Sequence, residues 1–119
     1  MKDFKTLEIW KTSVKLAIDI NELTQCFPVN ERYALAMQMK RCGVSIASNI
    51  AEGCGRRTVA DMRQFIHIAI GSSFELETQI EIAYLSHYID QDIYKELLSK
   101  LKTLQKRMIS FLGGLGIRY

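Results

Sequence analysis

The sequence predicts an all-α protein, with four helices joined by short turns into an antiparallel up-down-up-down bundle. Three observations carry this expectation. Apolar residues recur at helical spacing through four successive segments, no segment shows competing strand alternation, and the 119 residues contain a single proline. Helices of about 20 residues are each roughly 30 Å long, and short connections make consecutive helices antiparallel neighbours.

The first helix is expected over 4–27, where Leu7, Trp10, Val14 and Ala17 trace one stripe and Ile9, Leu16, Ile20, Leu23 and Phe27 another. Pro28 should end it, since proline lacks an N–H and pushes the preceding residue out of the helical region. Asn30 then reads as the N-cap of a second helix over 31–52. Leu35, Met39, Cys42, Ile46 and Ile50 lie on one side of that helix, and Tyr33, Met37, Val44 and Ala47 on another, with Gly53 as a left-handed stop. Thr58 with Asp61 resembles a capping box and opens a third helix over 59–87. Its stripe is Met62, Phe65, Ile66, Ala69, Leu76, Ile80 and Ala83, and Gly71, Ser72 and Ser73 would allow a neighbouring backbone to come close. A turn follows around Tyr88 to Asp90. Asp90 caps a fourth helix over 91–112, in which Ile93, Leu97, Leu101, Leu104, Met108, Phe111 and Leu112 recur until Gly113 and Gly114.

Composition bounds the function. The chain, at 13.7 kDa, has the size of one domain spanning 1–119, and 48% hydrophobic with 24% charged residues excludes a disordered protein. Charges interrupt every apolar run, so no membrane span is expected, and Asp3 and Glu8 spoil any apolar signal core at the start. Cys26, Cys42 and Cys54 are odd in number and unpaired in spacing, which argues against a disulfide framework or a structural zinc site and fits a reducing cytoplasm. Cys54 is the cysteine expected at the surface, where Arg56 and Arg57 would lower its pKa. A net charge of +3 is too mild to imply nucleic-acid binding, so any such reading rests on clustering. Apolar positions on two sides of the first and second helices exceed what one small bundle covers, and self-association is the expectation.

The segment VSIASNIAEGCGRR, Val44 to Arg57, is the most distinctive in the chain. Ser45, Ser48, Asn49 and Glu52 share a helical face and, with Glu75, suggest a buried structural polar network in which a glutamate meets an arginine across helices. Catalysis or a di-metal site is disfavoured, because Gln64 and Tyr84 stand where Glu should precede His67 and His87. Arg41, Arg56, Arg57 and Arg63 are the candidate phosphate-binding residues. Arg56 and Arg57 could equally complement the negative end of the second helix.

Three blocks, FKTLEIWKTSVKLAIDI, FPVNERYALAMQMKRCGVSIASNIAEGCGRR and GSSFELETQIEIA, together resemble the four-helix-bundle proteins encoded by intervening sequences in bacterial 23S ribosomal RNA genes. The resemblance runs from Phe4 through Leu112. It departs at Ala47, where the family pattern has proline, and at Cys54, where it has an aromatic residue. It implies a left-handed bundle assembled as a ring-shaped homopentamer, and kinship in fold with accessory proteins of diversity-generating retroelements, which work with a reverse transcriptase and its RNA. The resulting expectation is a cytoplasmic, non-enzymatic scaffold without metal or cofactor, binding RNA or DNA through basic loop residues or meeting an RNA-handling protein. The alternative is a structural oligomer with no nucleic-acid partner. Leu115, Ile117 and Tyr119 of the tail are candidates for docking on a neighbour.

Overall fold

The structure is a computed structural model that describes residues 3–31 and 33–115. Ile117 and Tyr119 therefore lie outside the described residues. Four helices make up the fold: α1 (Glu8–Thr24), α2 (Leu35–Cys54), α3 (Val59–Leu85) and α4 (Gln91–Gly114), with no strand among the described residues. Each helix packs on its neighbour in sequence, and α1 also meets α4.

The first helix starts later than its apolar pattern suggests. Phe4–Thr6 form a separate 3-10 turn and Leu7 is extended. The reason is local: Asp3 accepts from the Lys5 N–H at 3.1 Å and Thr6 Oγ1 donates to the Asp3 carbonyl at 2.7 Å, a turn that competes with helix. At the other end, the Cys26 and Phe27 N–H groups bond three residues back, tightening the chain ahead of Pro28. Phe27 is nevertheless buried and its ring meets Tyr88 at 5.4 Å.

Asn30 does not cap α2. It lies inside a second 3-10 turn, Val29–Glu31, closed by the Glu31 N–H on the Pro28 carbonyl at 2.8 Å, and α2 begins only at Leu35 without a side-chain cap. Nor does Gly53 stop the helix. It is buried within α2, and a β-carbon there would lie 3.0 Å from Phe65 Cβ and 3.1 Å from the Met62 carbonyl oxygen. Gly53 is therefore a point of close approach between α2 and α3. The helix ends at Cys54, followed by Gly55 in a right-handed conformation.

Both later caps are as expected. Thr58 Oγ1 accepts from the Asp61 N–H at 3.1 Å, and Asp90 accepts from the Ile93 N–H at 2.8 Å. The third helix closes in a Schellman motif, with His87 left-handed at φ 63°, its N–H on the Tyr84 carbonyl, and the Tyr88 N–H on that of Ala83.

The core follows the stripes, with Leu16, Ile20, Met39, Ile46, Ile50, Ile66, Leu76, Ile80, Leu101, Leu104 and Met108 buried. The stripe of Leu7, Trp10, Val14 and Ala17 is half-buried, Leu7 and Trp10 packing against this core. Exposed apolar residues instead concentrate on α3, at Val59, Ile68, Phe74, Ile82 and Leu85, with Met37 and Val44 on α2.

Between α3 and α4, Glu77 accepts from Gln105 Nε2 at 2.9 Å and pairs with Lys102 at 2.9 Å. The Gln105 hydrogen bond, then Lys102, hold its carboxyl below the ordinary value of 4.5. A depressed pKa in the folded state adds stability above the ordinary value, lost as pH falls below it. Because the pair is partly solvated, the contribution is about 1 kcal/mol or less. Urea midpoints measured at neutral pH and near pH 3 are expected to differ less in Glu77→Gln than in the wild type.

Candidate nucleic-acid interface

The loop between α2 and α3 carries Arg56 and Arg57, and it presents them differently. Arg56 Nη2 donates to Glu52 Oε1 at 2.9 Å, in the last turn of α2, and its guanidinium lies 4.5 Å from the centre of the Phe65 ring. The pair is about half exposed, worth some tenths of a kcal/mol to about one, but the aromatic face and the carboxylate together fix the guanidinium plane. Arg57 is exposed, and among the described residues no ion pair or hydrogen bond engages its side chain. Arg63, near the start of α3, donates through Nη1 to the Leu112 carbonyl at 3.0 Å, an oxygen in the last turn of α4 that also accepts from the Leu115 N–H at 3.2 Å. Its role is to hold the end of α4 against α3.

Arg41 stands apart from these three. Thirteen residues of helix separate it from Cys54 at the end of α2, about 20 Å at 1.5 Å per residue, and Arg56 lies beyond that end. It lines a cleft of about 250 Å³ between α2 and α3 with Gln38, Cys42, Ser45, Ser72, Glu75 and Gln79.

The polar stripe is divided between interface and solvent. Ser45 Oγ lies 3.0 Å from Ser72 Oγ, joining α2 to α3, and Asn49 Nδ2 donates to the Ser45 carbonyl at 2.8 Å and to its hydroxyl at 3.0 Å. Ser48 and Glu52 are exposed, and Glu52 meets an arginine within its own helix end, not across helices. Glu75 is also exposed, beside Cys42. Burial, and then the Glu75 charge, push the Cys42 thiol up. Gln79 is buried and its Oε1 has no hydrogen-bond partner; turning the amide over would let it accept from the Cys42 S–H.

The cysteines reverse the expected order of exposure. Cys54 is 2% exposed, while Cys26 is at the surface. The residue after Gly53 points inward because Gly53 itself continues the helix, so Cys54 is packed and not presented beside the arginines. Phe65 is the platform under Arg56, a role hidden in the sequence because it reads there as one more stripe residue. Its seven-residue spacing to Ser72 and Gln79, which also face α2, is the signal that marks it.

Among the described residues no cluster of three or more His, Cys, Asp or Glu side chains is placed to hold a metal ion, and no helix is long and apolar enough to cross a membrane.

No curated protein matches the sequence. Among solved structures, the chain resembles a protein of unknown function from the S23 ribosomal protein family of Bacteroides thetaiotaomicron. The TM-score is 0.80 at 26% sequence identity, over 87% of this chain and 97% of that one. The profile of the 23S rRNA-intervening sequence protein family matches residues 5–110, which takes in all of α1, α2 and α3 and most of α4. On that match the chain belongs to the 23S rRNA-intervening sequence protein family.

Proposed function

We propose that the protein is a non-enzymatic, self-associating helical scaffold that binds RNA phosphates through the loop between α2 and α3. In this reading the helices form a left-handed up-down-up-down bundle, and copies assemble as a ring-like homopentamer. The single observation that carries the RNA contact is the state of the loop arginines. Arg57 is exposed and unengaged beside Arg56, whose plane is already fixed by Glu52 and Phe65. A pre-oriented guanidinium next to an unengaged one suits two adjacent phosphate oxygens, with little base readout. Arg63 and Arg41 take no part in the contact: the first is occupied by α4 and the second lies too far along α2.

Repeating the loop around a ring would gather a mild monomer charge into one basic surface. The exposed apolar residues of α3 support association, because five large apolar side chains on one helix of a small protein are more than its own core covers.

The test is retention of structured RNA over a salt series, with Arg57→Glu beside the wild type. Arg57→Glu is expected to keep the wild-type mass and circular dichroism while weakening RNA retention. The logarithmic salt slope should become shallower by about one unit for each engaged copy. A wild type that retains no RNA at low salt would leave a structural oligomer without a nucleic-acid partner.

A further inference from the structure

α3 carries a second seam of helical spacing, opposite its core stripe. Ile68, Gly71, Glu75, Thr78, Ile82 and Leu85 follow one another at intervals of three and four residues, and all six are exposed. Such an alternation of three and four is the spacing by which one helix seats against another. α2 has a shorter outer seam with the same alternation, Met37, Arg41, Val44 and Ser48, also exposed throughout.

Each seam carries one charged residue, Arg41 on α2 and Glu75 on α3, and the two stand on opposite rims of the cleft between these helices. Along α2 and α3 the contacts run in opposite order, Gly53 beside Met62, Ser45 beside Ser72 and Cys42 beside Gln79. In this register Arg41 stands level with Glu75, and Gly71 stands level with the stretch between Val44 and Ser48. Arg41 has no ion pair or hydrogen bond among the described residues, and a side chain added at Gly71 would meet nothing within 4 Å. An exposed glycine in the middle of a 27-residue helix weakens that helix without any compensating contact inside the chain. Placing α3 on the α3 of another copy would bring Glu75 against Glu75, which is repulsive.

We infer that the outer seam of α2 in one copy packs on the outer seam of α3 in a second copy. In this pairing Arg41 faces Glu75 of the second copy, and Val44 enters the space over its Gly71. The register needed is the one α2 and α3 already adopt within the chain, so turning one copy over about an axis parallel to these helices produces it. The pairing can be used twice between two copies, or once with each neighbour in a closed ring. The inference rests on the self-association of the proposed function and names its surface.

The experiment is sedimentation of the full chain at micromolar concentration, with circular dichroism as a check on folding. The wild type is expected to sediment above the monomer mass. Arg41→Glu and Glu75→Arg should each weaken association about thirtyfold, and the two together should recover most of it, because the charges are exchanged and not removed. Gly71→Leu is an independent variant: nothing in the chain obstructs it, so it should fold and yet sediment as a monomer. An associated wild type whose mass is unmoved by all three single changes overturns this surface and leaves self-association standing. Failure of the charge exchange to restore association overturns the pairing of Arg41 with Glu75. A monomeric wild type overturns both this inference and the assembly, while the Arg57→Glu salt series reads the RNA contact separately.

Discussion

Phe27→Ala is expected to lose about 3–5 kcal/mol of stability, the full cost of truncating a buried aromatic side chain. Phe27 is 2% exposed although it lies beyond the end of α1, and its ring packs on Tyr88 from the turn between α3 and α4. It therefore ties two connections together at one end of the molecule. A smaller side chain would leave a cavity that neither connection can close without giving up its backbone bonds, the Phe27 N–H on Thr24 and the Tyr88 N–H on Ala83. At this chain length a kcal/mol corresponds to about 3–5 °C, so thermal unfolding should move down by more than about 10 °C. A shift of a degree or two would mean that Phe27 is held less firmly than its burial indicates.

Gly53→Leu is the second large effect. Even a methyl group at Gly53 would be 3.0 Å from Phe65 Cβ and 3.1 Å from the Met62 carbonyl oxygen, and the latter is backbone inside α3. Overpacking of this kind costs typically about 1–3 kcal/mol, and a leucine at a helix–helix contact belongs at or above the top of that range. Two forces compete in the milder Gly53→Ala. Helix propensity favours alanine by about 1 kcal/mol, while the close approach of α3 opposes it. The carbonyl cannot move without shifting the first turns of α3, so Gly53→Ala should still destabilise. Gly71→Ala is the comparison within a single chain, since open space lies around it there and the propensity gain of about 1 kcal/mol is the effect expected on the unfolding of the isolated chain. Denaturant midpoints of the three proteins should thus fall in the order Gly71→Ala, wild type, Gly53→Ala. If Gly53→Ala proves as stable as Gly71→Ala, the close approach at Gly53 is not rigid.

These positions show why some features were legible in the sequence and others were not. Gly53 and Gly71 are the same residue type in helical surroundings, and the sequence marks both as unusual without separating them. What separates them is whether another helix lies opposite, and periodicity contains no such information. The arginines follow the same logic. Arg56, Arg57 and Arg63 are near one another in sequence and form a natural cluster, yet Phe65 and the end of α4 engage two of them. The α4 contact spans 49 positions, beyond the reach of any local pattern.

Local chemistry was fully determined by the chain itself. The Thr58 and Asp90 caps depend on a side chain and an N–H three residues apart, so they need no tertiary partner, and the core stripes depend only on a repeat that buries one side of each helix. The late start of α2 is a local effect too, but one in which the proline turn from Pro28 to Glu31 outweighed the capping tendency of Asn30. Tertiary structure alone decided that Gly53 continues a helix, that Cys54 is buried, and that the surplus apolar surface falls on α3 more than on α1. The physical reason is common to all three: spacing along a helix says which residues share a side, whereas only packing says which side another helix covers.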